Sequence, residues 1–372
     1  MKARAVLEVN LSAIKQNISF LKKMAQGEFL CPMVKADAYG HGMLAMTKLL
    51  IEEGIKQVGV VSLDEACLIR KNYSKIDILI FAPLFNKNDL LEALQENVIL
   101  VCCSWKELKL LAELKKKIRI HLKFDTGFSR LGFSPKDFPK LLAFLKDHPH
   151  IKLEGIASHL IAGEELSDKE SQSFKQIQLF LELKEKIPNI KYHILNSSGI
   201  ISQYVNELNF KLGVRPGITL YGIKPKVLIK DSKALSKWDN LALTLSSCLK
   251  SQIVALRTLS KGDSVSYGAY WKAEQDTTIA TVSLGYADGL MRSFGKKRKV
   301  LFRGKKRPIV GTICMDFFMI ALQKEDQEVQ LGEEVIIFDS QSLSPEEQAE
   351  NIDTISYELF CSLSSRVKRI YK

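Results

Sequence analysis

The sequence predicts an α/β protein, an N-terminal (β/α)8 barrel over residues 1–230 followed by a C-terminal mainly-β domain over residues 231–372. Three observations predict it. Short β-rich runs alternate with amphipathic helical stretches through the first two thirds, the pattern of parallel βαβ units. Eight such runs can be counted, which suits a closed barrel of about 200 residues. From about Lys230 the texture changes to short strands separated by glycine-containing turns, as in a second, β-rich domain. A length of 372 residues fits two domains of these sizes. A doubly wound open sheet is the alternative for the first part.

In chain order, Arg4–Val9 reads as a strand that could pair with either domain. The barrel runs are Phe29–Lys35, Val58–Ser62, Asp77–Ala82, Val98–Cys103, Arg119–Asp125, Leu153–His159, Tyr192–Ser197 and Lys211–Gly217. Between them lie helical stretches such as Ser104–Lys116, Pro135–Lys146 and Asp168–Lys186. The second domain offers strands at Ser247–Leu256, Thr277–Leu284, Lys299–Phe302, Phe317–Leu322 and Glu334–Phe338, and then one helical stretch near Glu346–Phe360.

Composition narrows the function class. With 46% hydrophobic and 26% charged residues the chain can bury a full core. The opening MKARAVLEVNLSAIKQN lacks the unbroken apolar stretch of a signal peptide. Apolar runs such as Ile78–Phe81 fall far short of the ~20 residues of a membrane helix. Seven cysteines without a C-x-x-C pair read as buried thiols rather than a disulfide or zinc framework. These features point to the cytoplasm. The net charge of +12 raises nucleic acid as a partner. Against it, the basic runs Lys115–Lys117, Lys296–Lys299 and Lys305–Arg307 are far apart and carry no recognition motif.

Barrel enzymes place their chemistry at the C-terminal ends of the strands. Those ends carry Lys35, then Lys123 and Asp125, His159, Asn196 and Ser197, and finally Arg215 before Pro216-Gly217. Any one of these could be an ordinary loop or cap residue, but recurrence at five strand ends argues for a site. A lysine in a partly desolvated mouth has the neutral amine needed for a Schiff base. Loops after strands seven and eight commonly hold a phosphate in this fold. The P-loop and G-x-G-x-x-G patterns are absent, as is H-E-x-x-H, so nucleotide and metal readings are disfavoured and no metal site is expected.

The block VKADAYGHG at Val34–Gly42 resembles the pyridoxal-phosphate (PLP) attachment signature of alanine racemases. Further blocks resemble the family in the same order: KFDTGFSRLGF at Lys123–Phe133, SHL at Ser158–Leu160, HILNSSG at His193–Gly199 and VRPGITLYG at Val214–Gly222. VSYG at Val265–Gly268, GYADG at Gly285–Gly289, GTICMD at Gly311–Asp316 and ISYE at Ile355–Glu358 complete the set. Together they span essentially the whole chain.

The resemblance implies that Lys35 carries PLP as a Schiff base and is one catalytic base. Tyr267 is the other, contributed by the partner subunit of a head-to-tail homodimer. Two groups on opposite faces suit a reaction that removes a Cα proton and returns one to the other side. A phenol has an ordinary pKa of ~10, so Tyr267 is expected to draw on the positive field of His159 and Arg215. Arg215 is placed at the pyridine nitrogen, where a donor-only group weakens the electron sink. The phosphate is assigned to Tyr39, Ser197, the Gly217 and Ile218 amides and Tyr357, with Asn196 nearby. Arg130 is assigned to the cofactor phenolic oxygen and the substrate carboxylate, and Met315 of the partner supplies a backbone contact to that carboxylate. Lys123 falls where many relatives carry a carbamylated lysine.

Two departures concern the substrate entrance: Ile161-Ala162-Gly163-Glu164, where many relatives have an aspartate near position 164, and Thr312, where many have arginine. The implied activity is interconversion of L- and D-alanine for peptidoglycan. The alternatives are a broad-spectrum or serine racemase of the same fold, a decarboxylase, and a non-enzymatic PLP-binding protein. Decarboxylases are disfavoured by Arg215 and Tyr267, and the binding protein by the presence of a second domain.

Overall fold

The computed structural model describes residues 4–295, 298–339 and 341–372, so Lys296 and Lys297 of the Lys296–Lys299 basic run lie outside the described residues. It divides into two compact units. One holds Lys15–Ala38 and Met43–Leu243, and the other holds the chain up to Ile14, Tyr39–Gly42 and Thr244–Lys372. The first strand, β1 (Ala5–Val9), belongs to the latter.

The first unit is built on seven parallel strands in chain order: β2 (Gln57–Val60), β3 (Asp77–Ile80), β4 (Ile99–Cys102), β5 (Ile118–Lys123), β6 (Ile151–Ala157), β7 (Lys191–Leu195) and β8 (Gly213–Val214). The segment expected as the first barrel strand supplies the eighth position as two isolated bridges, Leu30 with Val214 and Met33 with Gly59. Cys31 N–H donates to Val214 O at 3.0 Å and Val34 N–H to Gly59 O at 2.9 Å, so the ring closes. Pro32 lacks an N–H, which is why this segment makes bridges and no continuous ladder. Phe29, Cys31, Leu79, Ile99, Val101 and Ala157 fill the interior.

Several helices that follow the strands start where a serine caps them. Ser62, Ser104 and Ser171 each accept a hydrogen bond from the amide three residues on. Ser171 therefore starts its helix at Gln172, later than the expected Asp168, and the stretch expected from Pro135 is a 3-10 turn that becomes α-helical at Phe138. A helix at Ser232–Asp239, capped by Asp231, lies in the barrel unit although the sequence placed residues beyond 230 in the β-rich part.

In the second unit the long strand β9 (Ser247–Leu259) organises the sheet. It is followed by the short pair β10 (Ser264–Val265) and β11 (Trp271–Lys272), then β12 (Thr277–Val282), β13 (Lys299–Phe302), β14 (Lys305–Val310), β15 (Phe318–Ala321), β16 (Glu334–Phe338) and β17 (Lys368–Tyr371). The order β12-β15-β14-β13-β16-β9 closes through a β9–β12 pairing, and β1 and β17 extend it from β9. The N-terminal strand thus pairs with β9 and β17. The single helical stretch expected near Glu346–Phe360 is two helices, Pro345–Glu350 and Ser356–Cys361, separated by Asp353 in the left-handed region (φ 55°).

Candidate active site

Lys35 follows the closing segment of the barrel and begins a turn of left-handed helix. Ala36, Asp37, Ala38 and Tyr39 have φ of 52°, 51°, 56° and 53°. Left-handed backbone is unfavourable by roughly 1–2 kcal/mol per non-glycine residue. Local bonds hold it in the barrel unit: Ala38 N–H to Val34 O at 2.8 Å, Ala36 N–H to Glu65 Oε1 at 2.7 Å and Met43 N–H to Asp37 Oδ1 at 2.7 Å. Glu65 also closes the capping box of the helix Leu63–Asn72. The strand-end lysine is therefore presented by a rigid, strained turn.

Arg215 is buried and its guanidinium is anchored on several acceptors. Nη1 donates to His193 Nδ1 and His193 O, both at 2.7 Å, and Nη2 to Ser158 O at 2.7 Å and His159 Nδ1 at 3.2 Å. The loop after β5 is shaped by Asp125, whose carboxylate accepts the amides of Gly127, Phe128 and Ser129 at 2.9–3.0 Å. Burial opposes its charge, but the three amides and Lys123 outweigh that and keep its pKa below the ordinary value. This loop carries Arg130, stacked on the Phe128 ring at 4.2 Å, and that ring lies 5.2 Å from the His159 ring.

The charges converging on His159 are all cationic. Burial, then Arg215, Arg130, Lys123 and Lys35, push its pKa down to about 2. His159 is therefore neutral, which corrects the expectation that it adds positive field for Tyr267; only a ring N–H is available from it. Lys123, 7% exposed, is pushed down to about 8 by burial and by Arg215 and Arg130, against the weaker pull of Cys103 and Asp125. A buried amine with a pKa of about 8 has a substantial neutral fraction near neutral pH.

The loops after β7 and β8 meet at Ser197. Asn196 caps the helix Ser197–Val205 by accepting the Gly199 amide at 2.9 Å. The first two amides of that helix have no intrahelical acceptor. Ser197 Oγ accepts the Gly217 N–H at 3.0 Å and lies 3.2 Å from Thr219 Oγ1. The Gly217 amide, expected to face a phosphate, is thus spent on Ser197. The adjacent buried Ile218 starts a 3-10 turn, where its N–H has no helical partner. Hydroxyls and helix-start amides gathered here make a donor set that fits a phosphate.

In the other unit Tyr39 and Tyr357 meet edge to face, with centroids 5.9 Å apart. Tyr267 lies in a turn after β10 with its side chain projecting, 69% exposed. Ser266 Oγ donates to Thr312 O at 2.6 Å and Thr312 Oγ1 to Tyr267 O at 3.0 Å, so the VSYG and GTICMD blocks brace each other. Met315, 52% exposed, has its carbonyl bonded by Ala287 N–H at 3.0 Å. A Cβ at Gly285 would come within 2.3 Å of Met315 O, so only glycine permits this approach.

The family models for the alanine racemase N-terminal and C-terminal domains match residues 9–225 and 247–371. The chain belongs to the alanine racemase family. Alanine racemase 1 of Bacillus subtilis (strain 168) is 36% identical over 98% of this chain and 92% of its own length. The alanine racemase of Helicobacter pylori (strain G27) is 31% identical over the whole of both chains. The solved alanine racemase of Clostridium difficile 630 superposes with a TM-score of 0.89 at 30% identity, covering 100% of this chain and 96% of that one. The (β/α)8 barrel and mainly-β domain are thus an alanine racemase architecture. Among the described residues no helix is long and apolar enough to cross a membrane, and no cluster of three or more His, Cys, Asp or Glu side chains is placed to hold a metal.

Sequence reasoning on this alanine racemase family member missed two residues at the site, His193 and His121. His193 lies inside the HILNSSG block, but on a buried strand an imidazole reads as core. Its bond to Arg215 is visible only in the structure.

Proposed function

We propose that this protein interconverts L- and D-alanine with PLP on Lys35, in the cytoplasm, supplying D-alanine for peptidoglycan. The observation that carries the reading is the all-cationic surround of His159, with Arg215 buried at its centre. Such a site favours the dianionic phosphate and the substrate carboxylate. The family resemblance assigns donor-only Arg215 to the position where a decarboxylase would need an acid, which speaks against that alternative. When bound, PLP supplies the electron sink that acidifies the Cα proton.

The chain's own residues divide the remaining work. Ser197 and the Ile218 amide, with Asn196 shaping the helix start, would hold the phosphate, and the family resemblance adds Tyr39 and Tyr357; the Gly217 amide is already bonded to Ser197. Arg130 binds the substrate carboxylate in its planar fork, helped by the Met315 backbone of a partner subunit. Arg215, a donor that stays protonated, would meet the pyridine nitrogen of bound PLP without giving up a proton. His159 Nδ1 accepts from Arg215, so its Nε2 carries the hydrogen and can support Tyr267. Lys35 and Tyr267 exchange the Cα proton from opposite faces. Lys123, next to two arginines and with a lowered pKa, is suited to carbamylation. The wide exposure of Tyr267 supports a homodimer in which it completes the other subunit's site.

Two variants test the reading. Lys35→Ala should lose both the visible absorbance of bound cofactor and turnover. Tyr267→Phe should keep the absorbance and lose racemisation by about a hundredfold or more. Full activity in the second variant would remove Tyr267 from the reaction.

A further inference from the structure

Behind Arg215 a chain of imidazoles runs into the barrel interior. His193 on β7 and His121 on β5 are both fully buried, with His193 Nε2 and His121 Nδ1 2.7 Å apart. Arginine only donates. The 2.7 Å contact from Arg215 Nη1 therefore makes His193 Nδ1 an acceptor and puts the His193 hydrogen on Nε2. That N–H must point at His121 Nδ1, which in turn accepts. The polarity of the chain is fixed from one end to the other: Arg215 donates to His193, and His193 donates to His121.

The geometry around His121 keeps this arrangement in place. A Cβ on Gly155 would come within 2.7 Å of the His121 ring at Cε1 and Nδ1, so only glycine on β6 leaves room for the ring. Phe29 packs on both imidazoles, with centroids 5.6 Å from His121 and 4.6 Å from His193. The charges acting on the pair, Arg215, Lys191 and Arg119, are cations, and with burial they keep both rings neutral. His121 Nε2 finds no hydrogen-bond partner among the described residues. A buried polar atom left unsatisfied is unfavourable, and its presence here argues that the ring is held for the sake of its other nitrogen.

We propose that His121 is a positioning residue for the racemisation: it fixes the tautomer of His193 and, through it, the orientation of Arg215. If His193 lost its acceptor, its Nε2–H would be buried unsatisfied. The other tautomer would then turn an N–H toward Arg215 Nη1, donor against donor, and displace the guanidinium. The catalytic consequence rests on the proposed role of Arg215 toward PLP, whereas the tautomer assignment does not.

The test is 15N NMR of histidine-labelled holoenzyme together with kinetics of two variants. In the unaltered protein both imidazoles should show the neutral Nε2–H pattern, unchanged between about pH 6 and 9. His121→Phe fills the space without an acceptor. It should give His193 a mixed or reversed tautomer and a kcat lower by roughly tenfold, the scale seen when hydrogen-bond partners behind metal-binding histidines are removed. His121→Asn places an acceptor oxygen near the Nδ1 position and should restore both the His193 pattern and most of kcat, even if its melting temperature is no higher than that of His121→Phe. An Nδ1–H or charged His193 in the unaltered protein overturns the proposal, as does an unchanged His193 pattern in His121→Phe. Should His121→Phe fail to fold, the unaltered spectrum and His121→Asn still decide. Correct tautomers in a protein that does not racemise alanine would count against the functional reading and leave the tautomer relay standing.

Discussion

Burial shifts Lys123 and the two interior histidines toward their neutral forms relative to water. Lys123 has a folded pKa of about 8 against an unfolded value near 10.5. Between those values the unfolded chain binds the extra proton, so stability rises with pH across the window, by about 3 kcal/mol in all. Denaturant titrations of cofactor-free protein in buffer stripped of carbon dioxide should show this rise, and Lys123→Met should flatten it. His121 and His193 have folded pKa values below the ordinary 6.5. As pH falls below 6.5 the unfolded chain gains protons that the folded chain refuses. Stability should therefore drop by roughly 3 kcal/mol between about pH 7.5 and 5.5 from this pair alone. A flat profile over that range would mean that the rings titrate in place. Lys35, Lys123, His159 and Arg215 were legible in the sequence because they fall at strand ends. His121 and His193 were not, because a histidine within a strand carries no sign of which way its nitrogens point.

At the scale of elements, the turn after Lys35 shows what pattern reading cannot reach. KADAY has no glycine to announce four left-handed residues, and their support comes from Glu65, remote in sequence. Glu65→Ala removes the bond to the Ala36 amide along with the capping box. It should lower stability by about 1–2 kcal/mol and slow the trapping of PLP on Lys35 by borohydride. Trapping at the unaltered rate would show that the turn holds without Glu65. The strands of both units were legible from alternation, with ends moved by one to a few residues. There are exceptions: Pro32 interrupts the first barrel segment, the short β10, β11 and β17 were not expected, and β14, which opens with Lys305-Lys306-Arg307, was missed because three cations look solvated. In fact Arg307 is buried against Asp326, with Nη2 to Oδ1 at 2.6 Å, and Lys306 pairs with Glu347. That run is occupied by acids of its own chain.

For the whole molecule, the central structural expectation is that one subunit's Lys35 works with the other subunit's Tyr267. Mixing Lys35→Ala with Tyr267→Phe under conditions that exchange subunits tests it. Random exchange makes half the dimers mixed, each with one intact site, so activity should return to about a quarter of the unaltered enzyme's. If both residues of a site came from one chain, the mixture would stay inactive. The order of family blocks made the two-part architecture legible, but contact between subunits is written in no single block.

The most direct test of the account is to give the purified, PLP-loaded protein L-alanine and follow the enantiomers by chiral chromatography, with L-serine in parallel. The account predicts rapid approach to an equal mixture of L- and D-alanine, with serine turned over slowly. Bound cofactor with no D-alanine formed would contradict it.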